Sequence, residues 1–380
     1  MKLKDFLRNK LKQRWPTYIM NINDDVFNTS QRRVLLCFIT APLKQDLRKA
    51  IYHPNILRAN QMVTTLIKAG YIVDVCDCTD TAYFDLFKSI DYYAIIGFGP
   101  LYEALCEVMP NTKKVFYLTE NDPMVFQKKY DDRIKYLKER HPEVKRVPAN
   151  KRVQYYTNRQ IELSTDAIIM TNECNSSRVR QMIPCFKTIK VNGFMNPNYS
   201  FSYGNIGERR KNFLWFGSIG ALAKGLDILV DVFRELPQYT MNVYGVYPDE
   251  VSFLKSLRLP ENVHLCGKVS VQSDAFLEVV NKNLFIISAS CVEGMQSGVA
   301  TCLRHGVIPL LTNEYGYEKN PSIFLFDDYK VETIREAILK VEQMSDEELG
   351  CISHEAYEYG NREHTLESFV TTFTSIVNVL

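Results

Sequence analysis

Two short stretches of this chain combine residue types that can handle a phosphorylated sugar. The first runs through Glu293-Gly294-Met295-Gln296-Ser297-Gly298, a glutamate among glycines just ahead of a helix-like run at 297–305. A carboxylate in such a loop can bond ligand hydroxyls, while the open N–H groups of a helix start face an anion. A sugar attached to a phosphate has both features. The second stretch is 217–225, from Gly217 and Ser218 to Lys224 and Gly225, a glycine-containing turn with a lysine at the mouth of a helix. A mobile point charge beside free N–H groups is a phosphate site in outline. The spacing is not that of a P-loop, because Gly225 follows Lys224 where Ser or Thr is needed. Plainer accounts exist for both: Glu293 as a solvated carboxylate in a loop or first helical turn, and Lys224 as a solvated lysine before a helix.

The elements around them are legible from periodicity. Residues 284–287 have the length and β-branched content of a buried parallel strand, and they run into the small-residue loop 288–298. A short helix at 297–305 follows, Gly306 supplies a left-handed stop, and 307–311 starts another strand, giving a βαβ unit. Upstream, 213–216 reads as a strand, and Leu226, Leu229, Val230 and Phe233 fall at helical spacing after the lysine turn. With strands at 240–245 and 262–267 between them, both loops belong to carboxyl ends of one parallel sheet and can meet at one crevice.

The first part of the chain repeats the pattern. Strands are expected at 34–39, 71–76, 91–96, 114–118, 167–171 and 188–191, with a helix at 55–69 that Gly70 ends. Strands alternating with helices and ending in polar or glycine loops imply an α/β fold with parallel sheets. Residues 196–211, rich in Asn, Ser, Gly and Tyr, are the best linker candidate. The C-terminal stretches 331–341, 346–359 and 366–380 are helical by pattern.

Composition excludes several classes. Hydrophobic residues at 46% and charged residues at 24% describe an ordinary globular chain, and 380 residues suit two domains. No apolar run approaches a membrane span, and the N-terminus lacks a secretory core, so a cytoplasmic location is expected. Ten cysteines without a CxxC pair, including Cys37, Cys76 and Cys266 in apolar strand-like runs, read as reduced, buried thiols. Six histidines without HExxH spacing argue against a zinc site, and a net charge of +2 gives no case for nucleic acid. Local charge says more. Residues 1–15 are basic with Leu3, Phe6, Leu7, Leu11 and Trp15 near helical spacing, and could lie on an anionic membrane or pack on their own protein. Residues 123–153 carry Lys128, Lys129, Arg133, Lys135, Lys138, Arg140 and further basic residues to Arg152 around an apolar stripe. They read as a solvated amphipathic face or as a basic wall for a phosphorylated acceptor or lipid head groups.

The order of these pieces resembles the retaining glycosyltransferases of the GT-B fold, in particular glycosyltransferase family 4. The resemblance rests on WFGSIGALAKGLDILVDVF, on SCVEGMQSGVATCLRHGVIPLL and on Val191-Asn192-Gly193, which is similar to the family's interdomain crossing. It is fairly specific over 213–318 and loose before 190. It implies two Rossmann-like domains facing each other across a cleft: a basic leader at 1–31, an acceptor domain at 32–195, a linker at 196–211, a donor domain at 212–360 and a closing helix at 361–380 that crosses back.

The resemblance further implies that Lys224 neutralises the donor diphosphate and that Glu293 holds the sugar. Gly217 and Ser218 would close over the diphosphate, and Gly294, Met295, Gln296, Ser297 and Gly298 would line the donor. Two departures stand out. Ser218 occupies a position where the family commonly has arginine, and Thr301 one where a second glutamate holds the nucleotide ribose. Glu120 and His53 are the candidates for the position near the scissile bond that relatives fill with histidine. The implied activity is metal-independent sugar transfer from a UDP- or GDP-type donor to a glycan or lipid-linked acceptor, with peripheral attachment to the inner membrane face left open. Two alternatives stay beside it: a degenerate sugar- or nucleotide-binding partner subunit, and a nucleotide-sugar epimerase.

Overall fold

The computed structural model describes residues 17–22, 32–40, 43, 54–148 and 155–380. His53, Lys151, Arg152 and the basic leader at 1–15 lie outside them. The chain forms two compact units, one from residues within 1–117, 155–167 and 373–380, the other from 118–154 and 168–372. The division at 196–211 expected from sequence stays a proposal about function.

The first sheet has seven strands: β1 (Tyr18–Ile19), β2 (Arg33–Phe38), β3 (Ile72–Asp77), β4 (Ala94–Gly97), β5 (Lys113–Leu118), β6 (Asp166–Ile169) and β7 (Phe186–Thr188), in the order β1-β3-β2-β4-β5-β6-β7. β2 pairs parallel with both β3 and β4, and β4 parallel with β5. The edge strand β1 was not foreseen; it pairs antiparallel with β3, two residues being too short to show a period. Nearby, the buried Asp74 carboxylate accepts from Arg33 Nε at 2.7 Å and the Tyr92 hydroxyl at 2.6 Å, which satisfies its charge inside the core. The chain end belongs to this unit, its last carbonyl accepting from the Tyr93 hydroxyl at 2.9 Å.

The second sheet is parallel throughout. Its strands are β8 (Asn212–Phe216), β9 (Thr240–Tyr244), β10 (Val263–Gly267), β11 (Phe285–Ser288), β12 (Ile308–Thr312) and β13 (Phe324–Phe326), in the order β10-β9-β8-β11-β12-β13. This is the 3-2-1-4-5-6 order of a dinucleotide-binding fold, and it reverses between β8 and β11. The three-residue β13 was missed for the same reason as β1. None of the ten cysteines forms a disulfide; Cys37 and Cys76 are buried as expected, whereas Cys266 is exposed because β10 is the sheet's edge.

One sequence reading changes here. Within 123–153, the described residues 123–148 do not form a purely solvated basic face or wall. The helix Pro123–Arg140 lays Phe126, Tyr130 and Leu137 into the second unit's core. Arg133, fully buried, donates to Asp227 at 2.9 Å, Arg140 pairs with both Asp227 and Asp231, and Lys129 pairs with Glu314. Three of the expected surface charges are therefore fixed in ion pairs within the unit. Within 196–211, Asn196, Ile206 and Arg209 are buried and most of the other residues are exposed, and the Tyr199 hydroxyl donates to the His305 carbonyl at 2.6 Å.

Candidate active site

The loops after β8 and β11 flank the point where strand order reverses, the place where open α/β sheets take ligands. After β8 the chain makes a turn in which Lys224 N–H donates to the Gly220 carbonyl at 2.9 Å and Gly225 N–H to Leu222 at 3.0 Å. Gly225 has φ +76°, and a Cβ there would sit 2.1 Å from the Ala289 oxygen, so glycine is required where the two loops touch. The helix Leu226–Glu235 then begins, and most of its residues are buried, Asp227 among them.

The β11 loop is stitched to this turn. Ser288 Oγ donates to the Lys224 carbonyl at 2.9 Å, Cys291 N–H donates to the Ala223 carbonyl at 2.9 Å, and Ser290 Oγ lies 3.0 Å from that same carbonyl. These bonds use backbone carbonyls and leave the lysine's direction to its side chain. Lys224 Nζ donates to Glu293 Oε2 at 2.6 Å, and both side chains are only 3% exposed. The two residues that sequence placed in separate loops thus meet as a buried ion pair. Neither is the solvated surface charge of the plainer accounts.

The remaining sequence candidates fall into place around the pair. A Cβ on Gly294 would lie 2.2 Å from the Thr119 oxygen and 2.9 Å from Glu120 Cα, so this glycine lets the Glu293 loop rest on the backbone at Glu120. Asn175 Nδ2 reaches the Glu293 carbonyl at 3.4 Å and the Glu314 carbonyl at 2.8 Å. The Met295 sulfur accepts the Val191 N–H at 3.3 Å. Gln296 donates through Nε2 to the Phe216 carbonyl at 3.3 Å, and its own carbonyl accepts the Tyr317 hydroxyl at 2.7 Å. Ser297 and Gly298 open the helix Ser297–Leu303 and are partly exposed, as is Gly217; Ser218 is exposed.

Thr301 faces the chain itself. Its hydroxyl donates to the Ser297 carbonyl at 2.8 Å and accepts the Phe194 N–H at 3.0 Å. That bond is one of a series tying residues 191–196 to this part of the fold. Arg304 Nη1 donates to the Gly193 carbonyl at 2.9 Å, and Asn196 N–H donates to His305 Nε2 at 3.2 Å. The Nδ1 of His305 lies 2.7 Å from the Thr301 carbonyl and the Nδ1 of His364 lies 2.8 Å from the Val191 carbonyl, partners that put the proton on Nδ1 in both rings.

Burial pushes both imidazoles down to about 4, against opposing backbone hydrogen bonds. An unfolded histidine titrates near 6.5, so between these values the unfolded chain takes up protons that the native one refuses. The stability these neutral rings provide is complete above pH 6.5 and is lost as pH falls toward 4, up to ~3 kcal/mol per ring. Urea midpoints should therefore drop between pH 7 and 4.5, and the drop should shrink in His305→Gln; an unchanged slope would remove His305 from this account.

Sequence reasoning missed Glu250. It is 5% exposed, and its carboxylate accepts from Gly220 N–H at 3.0 Å and Ala221 N–H at 2.9 Å. Pro248-Asp249-Glu250 opening a helix signals only first-turn acidity. Among the described residues, no group of three or more His, Cys, Asp or Glu is placed to hold a metal ion.

No protein-family profile matches the chain, and no curated protein matches it by sequence. Solved structures do. Sucrose-phosphate synthase from Thermosynechococcus elongatus is similar with a TM-score of 0.62 and 11% identity, over 92% of this chain and 99% of that one. HepE from Anabaena, in complex with UDP and glucose, gives 0.58 and 14% over 92% of this chain and 100% of that one. TarM gives 0.51 and 14% over 75% of this chain, which spans 54% of TarM's length. The shared feature at such identities is the fold: two Rossmann-like parallel-sheet domains, as in GT-B glycosyltransferases.

Proposed function

We propose that the chain transfers a sugar from a nucleoside-diphosphate sugar to a hydroxyl of a glycan or lipid-linked acceptor, with retention at the anomeric carbon and without a metal. The observation that carries this reading is the buried Lys224–Glu293 pair at the strand-order reversal. Sugar transfer of this kind must stabilise a departing diphosphate as negative charge grows on it, and a preorganised cation in a water-poor site does that well. In this reading Lys224 meets the diphosphate and Glu293, held beside it, accepts from sugar hydroxyls. In the same reading Glu120, whose backbone lies against Gly294, would face the sugar; His53 keeps its role only from the resemblance.

HepE has been solved with UDP and with UDP-glucose, which favours a UDP-type donor. Membership of glycosyltransferase family 4, a hexosyl donor and a place in polysaccharide or glycolipid synthesis at the cytoplasmic membrane face complete the proposal. Among the described residues no helix is long and apolar enough to cross a membrane, so such attachment would be peripheral.

A second reading, a partner subunit that binds without turnover, is favoured by one observation: the Thr301 hydroxyl is engaged by Phe194 and Ser297 where the resemblance calls for a ribose-binding glutamate. Thermal denaturation with UDP, GDP, ADP and their sugar conjugates, followed by a transfer assay on the purified chain, tests both. A ligand at a hundred times its Kd stabilises the native state by about 2.7 kcal/mol, a rise in Tm of roughly 2–4 °C. Binding with turnover supports the enzyme, binding without turnover the partner subunit, and no binding by any nucleotide overturns both.

A further inference from the structure

The turn that carries Lys224 is held from two sides. On the β11 side, Ser288, Ser290 and Cys291 take the carbonyls of Ala223 and Lys224, and Glu293 takes the ammonium. On the β9 side the holding group is Glu250, from the helix Pro248–Ser256 that follows β9. Its Oε1 accepts from Gly220 N–H at 3.0 Å and Ala221 N–H at 2.9 Å, and its Oε2 lies 3.2 Å from Gly220 N. A carboxylate that accepts two backbone N–H groups out of water is a strong, directional anchor. It also occupies two of the donors that a sequence reading would leave open to a phosphate.

The Gly220 carbonyl receives the Lys224 N–H at 2.9 Å, so the residue that Glu250 grips is the one that sets the lysine's backbone. We propose that Glu250 is a positioning residue: its carboxylate fixes the Gly220–Ala221 end of the turn and so holds the Lys224 ammonium against Glu293. The catalytic half of this inference rests on the proposed sugar transfer; the positional half does not. In consequence the diphosphate relies on Lys224 more than on the turn's N–H groups. Loosening the turn should then act through the lysine.

Two measurements on the full chain test it. The first is pulse labelling of lysine amines with acetic anhydride, read by mass spectrometry in the wild type, Glu250→Ala and Glu250→Gln, with the other lysines as internal reference. Lys224 should be labelled slowly in the wild type and roughly tenfold faster or more in Glu250→Ala, since labelling of a shielded amine follows the population of its open form. Glu250→Gln keeps an acceptor oxygen within reach, so it should fold and label at an intermediate rate. Equal Lys224 rates in all three proteins overturn the inference, whatever the turnover.

The second is a double-mutant comparison of sugar transfer. If Glu250 acts through Lys224, adding Glu250→Ala to Lys224→Ala slows transfer no further, because the effects of residues acting as a unit do not multiply. Losses that multiply assign Glu250 an independent role and overturn the catalytic half. Transfer untouched by Lys224→Ala would instead sink the proposed function, while the labelling result still decides whether Glu250 positions the lysine.

Discussion

Replacing Lys224 with alanine is expected to lower sugar transfer by roughly a hundredfold or more, the effect of removing one preorganised group from a developing charge. The same variant should also lose stability, on the order of 3–5 kcal/mol, because it removes the cation of a buried ion pair. Two losses from one change invite the objection that the enzyme is merely unfolded. A paired replacement answers it. Lys224→Met with Glu293→Leu removes both charges of the pair, so stability should return toward the wild type while transfer stays lost. Urea denaturation and initial rates on the three proteins separate the roles. Transfer by Lys224→Ala within a few-fold of the wild type would end the assignment, and an unchanged urea midpoint would mean that the pair does not exist in solution.

Asp227→Ala is expected to be among the most damaging substitutions away from the site. Asp227 is fully buried on the helix that begins just after Lys224, and it is shared by Arg133, also fully buried, and Arg140. Among the described residues Asp227 is the acidic partner of Arg133, whose Nε and Nη1 already lack hydrogen-bond partners. Removing Asp227 leaves a guanidinium in the core without a counter-charge, which should cost about 3–5 kcal/mol. Asp231→Ala should cost less, since Asp231 is partly exposed and Arg140 keeps Asp227 as a partner. Arg133→Met with Asp227→Leu should regain most of the loss. Equal midpoints for Asp227→Ala and Asp231→Ala would show that burial does not set the size of these terms.

The two helices joined by this cluster carry opposite charges for a reason that sequence alone does not reveal. Arg133 and Arg140 are seven residues apart and fall on one face of the helix Pro123–Arg140, while Asp227 and Asp231 are four apart on theirs. Such spacing is also that of ordinary solvated faces. Which account holds depends on whether another surface covers the face, and that is a property of the fold.

What the sequence determined by itself was local: the parallel strands, the helices between them, and the two loops with Lys224 and Glu293 at strand ends. Continuous apolar runs ending in glycine and polar residues admit few other structures, and strand alternation with helices places such loops on one edge of a sheet. The strand ends at Phe216 and Ile287 could therefore be read before the fold was known, the second one residue short of Ser288, where β11 ends. Tertiary structure decided which polar groups find each other. It chose Glu250 as the acceptor for Gly220 and Ala221, gave the Thr301 hydroxyl to Phe194 and Ser297, and turned Arg133 from a surface charge into a buried one. A side-chain hydrogen bond or ion pair has no period along the chain; its partner is fixed only when packing removes water from both groups and leaves each the other to satisfy.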